Sequence, residues 1–379
     1  MHTIESKLPH VGTTIFTQMS QLANEVNAIN LSQGFPNFKI NPKLEDIMAK
    51  LVRTNAHQYL PMMGYNPLRS AVADKIKLHY GRQVDFEKEI LVTAGATQGI
   101  FTTIQALVHR GDEVVVIDPS YDCYAPAVEL VGAKPVHVNM EKGFRIDWNK
   151  IEAAVNEKTR MLIINNPHNP TGMMFDLKDI EALEVIMDKY PELLLLSDEV
   201  YEFIHFEKEF ISINSRENIR ERAIIISSFG KTFHITGWKL GYLVAPDYLL
   251  QEIKKVHQYL VFCVNSFGQL ALAEYLPQTD LNELSSFYQQ KKDFFTSAMK
   301  DSKFELLPSY GSYFVTANYS AISDLDDVSF SKWLTTEKGV AVIPTSVFNA
   351  NKRDDKVVRF CFAKTEDTLQ QATELLCKI

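Results

Sequence analysis

What most constrains this chain is an alternation of short, unbroken apolar runs with stretches of helical periodicity. The runs fall at 90–93, 114–118, 134–138, 161–165, 193–198, 223–227 and 240–244. Most are apolar throughout, which is how strands buried on both faces read; a strand with one wet face would alternate. Amphipathic helical stretches lie between them, for example 98–108, 176–189 and 248–259. Strands alternating with helices predict an α/β domain built on a mostly parallel seven-stranded sheet flanked by helices.

After residue 277 the pattern changes. A long helical stretch at 281–300 precedes short strand-like runs at 304–307, 312–316, 340–343 and 357–362, with helices at 329–338 and 365–377. This predicts a smaller α+β domain. A length of 379 residues suits roughly two domains by the usual domain size. The expected division is an N-terminal arm at 1–40 that packs with the small domain, a large domain at 41–277 and a small one at 278–379. No repeat, low-complexity tract or flexible linker interrupts it.

Composition excludes several classes. The apolar content of 46% and charged content of 23% are ordinary for a globular protein. The net charge of −8 argues against nucleic acid or an anionic membrane as the main partner. Residues 1–10 hold an acid, a base and a proline with no apolar stretch, so no signal peptide is expected. No run approaches the roughly 18 apolar residues of a membrane span. The four cysteines, Cys123, Cys263, Cys361 and Cys377, are scattered without a C-x-x-C pair. That usage fits inert thiols in a reducing cytoplasm. No metal-ligand spacing is present.

Ligands of open parallel sheets bind at the carboxyl ends of the strands. The polar residues that stand out converge there: Gly95, Asn166 and Asn169, Asp198, then Ser228 and Lys231. Lys231, in Ser227-Ser-Phe-Gly-Lys-Thr232, follows a buried strand directly. An amine nucleophile so placed can form an imine with a carbonyl compound; alone, the segment reads more readily as a solvated loop lysine. Asp198 ends an apolar run, so its carboxylate needs a partner; the alternative is a helix N-cap. Asn166-Pro-His-Asn169-Pro-Thr-Gly172 makes a stiff turn, as an ordinary loop also could. Thr93-Ala-Gly95-Ala96-Thr97-Gln98 is a strand-to-helix turn whose free N–H groups suit a phosphate, and Ser228 and Lys239 could add a hydroxyl and a cation. Arg359 alternates with apolar residues in 356–362, a strand-like run. Facing inward, its planar fork would suit a carboxylate; the other reading is the wet face of a strand. Tyr121 is a candidate to stack on a flat ligand, or else a core aromatic.

Five segments in order, 166–172, 197–201, 228–232, 237–242 and 358–362, resemble the fold type I class I aminotransferases that depend on pyridoxal 5′-phosphate (PLP). The resemblance covers essentially the whole chain. It implies that Lys231 is the Schiff-base lysine, Asp198 the partner of the pyridinium nitrogen, and Tyr201 with Asn169 the pair on the ring oxygen. It implies Arg359 as the carboxylate clamp and Gly95, Ala96, Thr97, Ser228 and Lys239 as the phosphate cradle. Tyr59 resembles the tyrosine that reaches the phosphate from a neighbouring subunit, which implies a homodimer with shared sites. Residues 12–20 and 29–36 further resemble the bacterial methionine aminotransferases, relatives of glutamine transaminase K and the kynurenine aminotransferases. In that subgroup Gly34 lies against the substrate carboxylate and Phe16 lines the side-chain pocket. The kynurenine enzymes carry a Phe-His pair in the loop that crosses the dimer; this chain has Phe262-Cys263 there, and no arginine. The implied reaction is transamination of an uncharged amino acid, methionine first and aromatic ones next, with a 2-oxo acid. The alternatives are a kynurenine- or glutamine-type enzyme, a cysteine S-conjugate β-lyase on the same scaffold, and a ligand-sensing regulator.

Overall fold

The structure, a computed structural model, describes residues 4–379. Part of the segment expected to lack a signal peptide, Met1–Thr3, lies outside it. The large sheet has seven strands: β1 Ile90–Thr93, β2 Glu113–Asp118, β3 Lys134–Asn139, β4 Thr159–Asn165, β5 Leu194–Asp198, β6 Ala223–Ser228 and β7 Gly241–Val244. Their order is β1-β7-β6-β5-β4-β2-β3. Only β7 runs antiparallel to its neighbours; the other pairings are parallel. The expected mostly parallel α/β sheet is the one observed.

The apolar runs of the inner strands are continuous because each serves two cores, while the edge strand β3 packs only the partly buried Val136 and Val138 against one. Val92, Val115, Leu162, Leu195 and Ile225 enter one core, on the side of helix Leu177–Lys189. Leu91, Val114, Val116, Met161, Ile163, Leu194, Leu196, Ile224 and Ile226 enter the other, with Ile100, Ile104 and Leu107 of helix Gly95–Leu107. Each such side chain contributes about 1.5–3 kcal/mol when fully buried.

The second sheet has four strands, β8 Glu305–Leu306, β9 Phe314–Asn318, β10 Ile343–Pro344 and β11 Val357–Cys361, in the order β10-β11-β9-β8. The single strand expected at 340–343 is two. Val340–Ala341 pairs in parallel with Ile29–Asn30 of the N-terminal arm, while Ile343–Pro344 pairs with β11. The chain changes sheets at Val342, which is fully buried. The core here is aromatic, with Tyr288, Phe295, Tyr313, Tyr319, Phe330 and Phe360. Val200 and Tyr201, just after β5, also insert into it, so the two sheets share packing beside the strand ends. Among the described residues, no helix is long and apolar enough to cross a membrane.

Candidate active site

The carboxyl ends of β1, β4, β5 and β6 meet at one cleft of ≈ 680 Å³. Its lining includes Gly95, Ala96, Thr97, Tyr121, Asn169, Asp198, Tyr201, Ser228, Lys231 and Lys239. Expected residues from six separate segments of the chain are thus brought together.

Lys231 sits in the single helical turn Phe229–Thr232 after β6. Its Nζ is 3.0 Å from the Tyr313 hydroxyl and 3.3 Å from the Gly34 carbonyl oxygen. Burial of the amine pulls its pKa down to about 8; Cys361 and Asp198 oppose this, and Arg359 and Lys239 add to it. The reading as a solvated loop lysine therefore fails: the amine is enclosed and poised near neutrality.

Asp198 is 4% exposed. Its Oδ2 accepts from the Tyr124 hydroxyl at 2.6 Å, and its Oδ1 from the Val200 N–H at 3.3 Å. Burial raises its pKa to about 6, against those two hydrogen bonds and the charge of Lys231. Turns rather than a helix follow it, so the N-cap reading is not realised.

The Asn166–Gly172 turn is fastened at both ends. Asn165 Oδ1 accepts from the Asn169 N–H at 2.7 Å, and the Gly172 N–H donates to the His168 carbonyl at 2.8 Å. Gly172 has φ +73°, and a Cβ there would meet Ser309 Oγ at 2.3 Å, so glycine is required. Asn169 faces Arg359, whose Nη1 donates to Asn169 Oδ1 at 2.7 Å. The Asn169 amide N–H groups are left to donate elsewhere. The Tyr201 hydroxyl is pushed well above its ordinary pKa by burial and remains a donor at any physiological pH.

Gly95 opens the helix Gly95–Leu107 with φ +76° and no side chain capping it. A Cβ at Gly95 would stand 3.6 Å from Lys239 Cε and Nζ. The open first-turn N–H groups, the helix dipole and an adjacent ammonium make a cradle for a phosphate-sized anion. Tyr121 flanks it, with its hydroxyl 3.4 Å from Thr97 Oγ1.

Arg359 lies on β11 with no exposure at all. Besides Asn169, its Nη2 donates to the Ser32 carbonyl at 2.9 Å. Among the described residues its Nε has no hydrogen-bond partner. The guanidinium carbon is 3.9 Å from the Phe314 ring centroid, 5.4 Å from that of Phe16 and 5.8 Å from that of Phe348. The wet-face reading is overturned. A buried cation held by neutral oxygens, with one N–H unused, calls for an anion. Gly34 is close by, and a Cβ on it would meet Phe314 Cζ at 2.8 Å.

Tyr59 and Phe262 are not in this cleft. Their rings pack edge-to-face at 5.5 Å, and Tyr59, 81% exposed, lines a separate open pocket with His57, Cys263 and Asn265. Sequence reasoning missed three residues: Tyr124 on Asp198, Tyr313 on Lys231, and Phe348 beside Arg359. Tyr124 carried a signal, standing one helical turn after Tyr121. Tyr313 and Phe348 carried none, because their contacts are long-range.

An enclosed lysine and a phosphate cradle at the strand ends of this sheet, with a buried arginine across the cleft, define a cofactor-dependent enzyme acting on a small carboxylate. The family model "Aminotransferase class I and II" matches residues 26–376, and the chain belongs to that family. It is an aminotransferase, and PLP is its cofactor. The chain is 48% identical to the methionine aminotransferase of Escherichia coli, covering 98% of this chain and 97% of that protein. It is 32% identical to the kynurenine–oxoglutarate transaminase of Dictyostelium discoideum, over 97% of this chain and 94% of that one. Among solved structures, that of an Escherichia coli protein described as having a methionine aminotransferase function matches with a TM-score of 0.97. There the identity is 47% and all of both chains is covered. The cleft fits PLP on its own evidence: an uncapped helix start under Lys239 for the phosphate, a buried acid for the ring, and an enclosed amine for the aldehyde.

Proposed function

We propose that the chain transfers the amino group of an uncharged L-amino acid, methionine foremost and aromatic ones next, to a 2-oxo acid. The observation that carries this is Arg359. Its guanidinium is wholly buried, with an unused Nε and no acid partner among the described residues, in a wall of Phe16, Phe314 and Phe348. One carboxylate fits there, and beside it lies apolar surface. The 48% identity to a methionine aminotransferase supports the donor.

Bound PLP supplies an electrophilic carbon and an electron-accepting ring. Gly95, Ala96, Thr97, Ser228 and Lys239 hold its phosphate, and Tyr121 covers its ring. Asp198, kept acceptor-ready by Tyr124, holds a proton on the ring nitrogen. Asn169 and Tyr201 donate to the ring oxygen. Arg359 and Gly34 fix the α-carboxylate, which orients the amino acid's α-hydrogen. Lys231 would hold the cofactor at rest; once free, its amine is placed to take the donor's α-proton, a task suited to a pKa of about 8. Tyr59 and Phe262 serve the site of a second copy, so the working form is a homodimer. The setting is the cytoplasm, and the partners are small molecules rather than nucleic acid or membrane.

A screen of amino donors against one fixed 2-oxo acid, with Lys231→Ala as the control, tests this. Methionine should give the highest kcat/KM and Lys231→Ala should abolish turnover. A preference for glutamate or aspartate, or an active Lys231→Ala, overturns it.

A further inference from the structure

Gly34 and Lys231 are far apart in sequence, yet a buried hydroxyl joins them. Tyr313 has no solvent exposure, and its hydroxyl lies 2.5 Å from the Gly34 carbonyl oxygen and 3.0 Å from Lys231 Nζ. A carbonyl only accepts, so the hydroxyl proton of Tyr313 belongs to Gly34. The Tyr313 oxygen must then accept from Lys231. Burial holds the tyrosine pKa well above its ordinary value, which keeps that proton in place. The Gly34 oxygen is also within reach of Nζ, at 3.3 Å.

We infer that Tyr313 is a positioning residue for the released Lys231 amine, holding its Nζ against the Tyr313–Gly34 pair at the wall of the cleft. The inference rests on the proposed role of Lys231 as proton carrier. Two further observations support it. The Tyr313 ring is held edge-on by Tyr201 at 5.2 Å and Phe314 at 4.9 Å, and by Tyr288 at 5.7 Å, so the hydroxyl cannot wander. The same segment also grips the carboxylate clamp, because Arg359 Nη2 donates to the Ser32 carbonyl. Residues 32–34 therefore set Arg359 and, through Tyr313, Lys231 in one register. The donor's carboxylate and the amine that takes its proton are referred to the same piece of backbone.

The charged and titratable groups facing Lys231, besides Tyr313 itself, are Arg359, Lys239, Asp198, Cys361 and Tyr201. None of them replaces the geometric constraint, because Tyr313 and Gly34 supply the hydrogen-bond acceptors of Nζ.

The test uses the holoenzyme of Tyr313→Phe, which keeps the ring and removes the oxygen. With methionine as donor, kcat should fall on the order of 100-fold, the lower end of acid–base contributions. KM should stay within about threefold, since Arg359 keeps its hydrogen bonds to Asn169 and Ser32. The kinetic isotope effect with α-deuterated methionine should increase. In cofactor-free protein, the pH midpoint for acylation of Lys231, followed by peptide mapping, should move down, because the charged amine loses an acceptor. Wild-type kcat with an unchanged isotope effect, or an unmoved midpoint, overturns the inference. If Tyr313→Phe does not fold, replacement of Tyr313 by 3-fluorotyrosine keeps the shape and weakens the oxygen as acceptor; kcat should then fall at constant KM, and an equal kcat overturns it. Lys231→Ala separates the two levels. Inactive Lys231→Ala beside a fully active Tyr313→Phe defeats only the positioning role, whereas active Lys231→Ala defeats the reading beneath it.

Discussion

Replacing Arg359 by methionine should uncouple stability from activity. In the wild type the guanidinium is wholly buried, with hydrogen bonds of 2.7 Å to Asn169 and 2.9 Å to Ser32. Hydrogen bonds to a charged group are worth about 1.5–3 kcal/mol each. Against them stands the cost of keeping a cation out of water, several kcal/mol when no anion is paired with it. The Arg359→Met chain would lose the first and be relieved of the second. The cofactor-free protein should therefore change in unfolding free energy by less than about 2 kcal/mol, read from urea denaturation. With substrate the balance differs, because the donor's carboxylate loses its buried cation. Breaking such a pair costs about 3–5 kcal/mol, so kcat/KM for methionine should fall about 10²- to 10⁴-fold. The decisive assay is a cycle with 3-(methylthio)propylamine, which is methionine without its carboxylate. The wild type should discriminate against the amine by that extra margin, and Arg359→Met should not. A coupling below about 1 kcal/mol refutes the assignment. So does a loss of stability above about 4 kcal/mol, which would make Arg359 a structural residue.

Asp198 is held at a pKa of about 6 against an ordinary 3.8, so the folded, cofactor-free chain binds its proton more tightly than the unfolded one. That contribution is complete below about pH 4 and is lost as pH rises through about 6, on the order of 3 kcal/mol in all. Asp198→Asn should thus gain stability relative to wild type between those pH values while losing turnover; a stability difference independent of pH would contradict this. Mixing inactive Lys231→Ala with Tyr59→Ala subunits should restore up to about a quarter of wild-type activity, because half the dimers are mixed and each has one intact site. No recovery after confirmed subunit exchange would exclude shared sites.

Most of the fold was legible because strands buried on both faces leave unbroken apolar runs, and β1 is bounded as expected. The helix expected from 98 begins at Gly95 instead, since the turn that frees its N–H groups carries no apolar periodicity. The local motifs marked Lys231, Asp198 and Asn169. They were silent on what each side chain touches. Arg359 reaches Asn169 across 190 positions and Tyr313 reaches Gly34 across 279, and neither partner is encoded near the other. The split of 340–343 was hidden for the same reason: four apolar residues look identical whether one sheet or two receives them.

The two-core sheet has a last consequence. Counting back by twos, Asp198 has the parity of Leu196 and Leu194, Asn165 that of Ile163 and Met161, Ser228 that of Ile226 and Ile224, and Thr93 that of Leu91. All of those apolar residues lie in the core shared with helix Gly95–Leu107. The cleft is the polar continuation of that face past its hydrophobic edge. Loss or gain of one residue within β5 would do more than exchange which core receives each leucine; it would turn Asp198 away from the cleft. Substitutions within these strands can drift among aliphatics, but their length is under a separate and stricter constraint. An alanine-insertion scan through β4, β5 and β6 would expose it, with variants that still fold yet hold no cofactor.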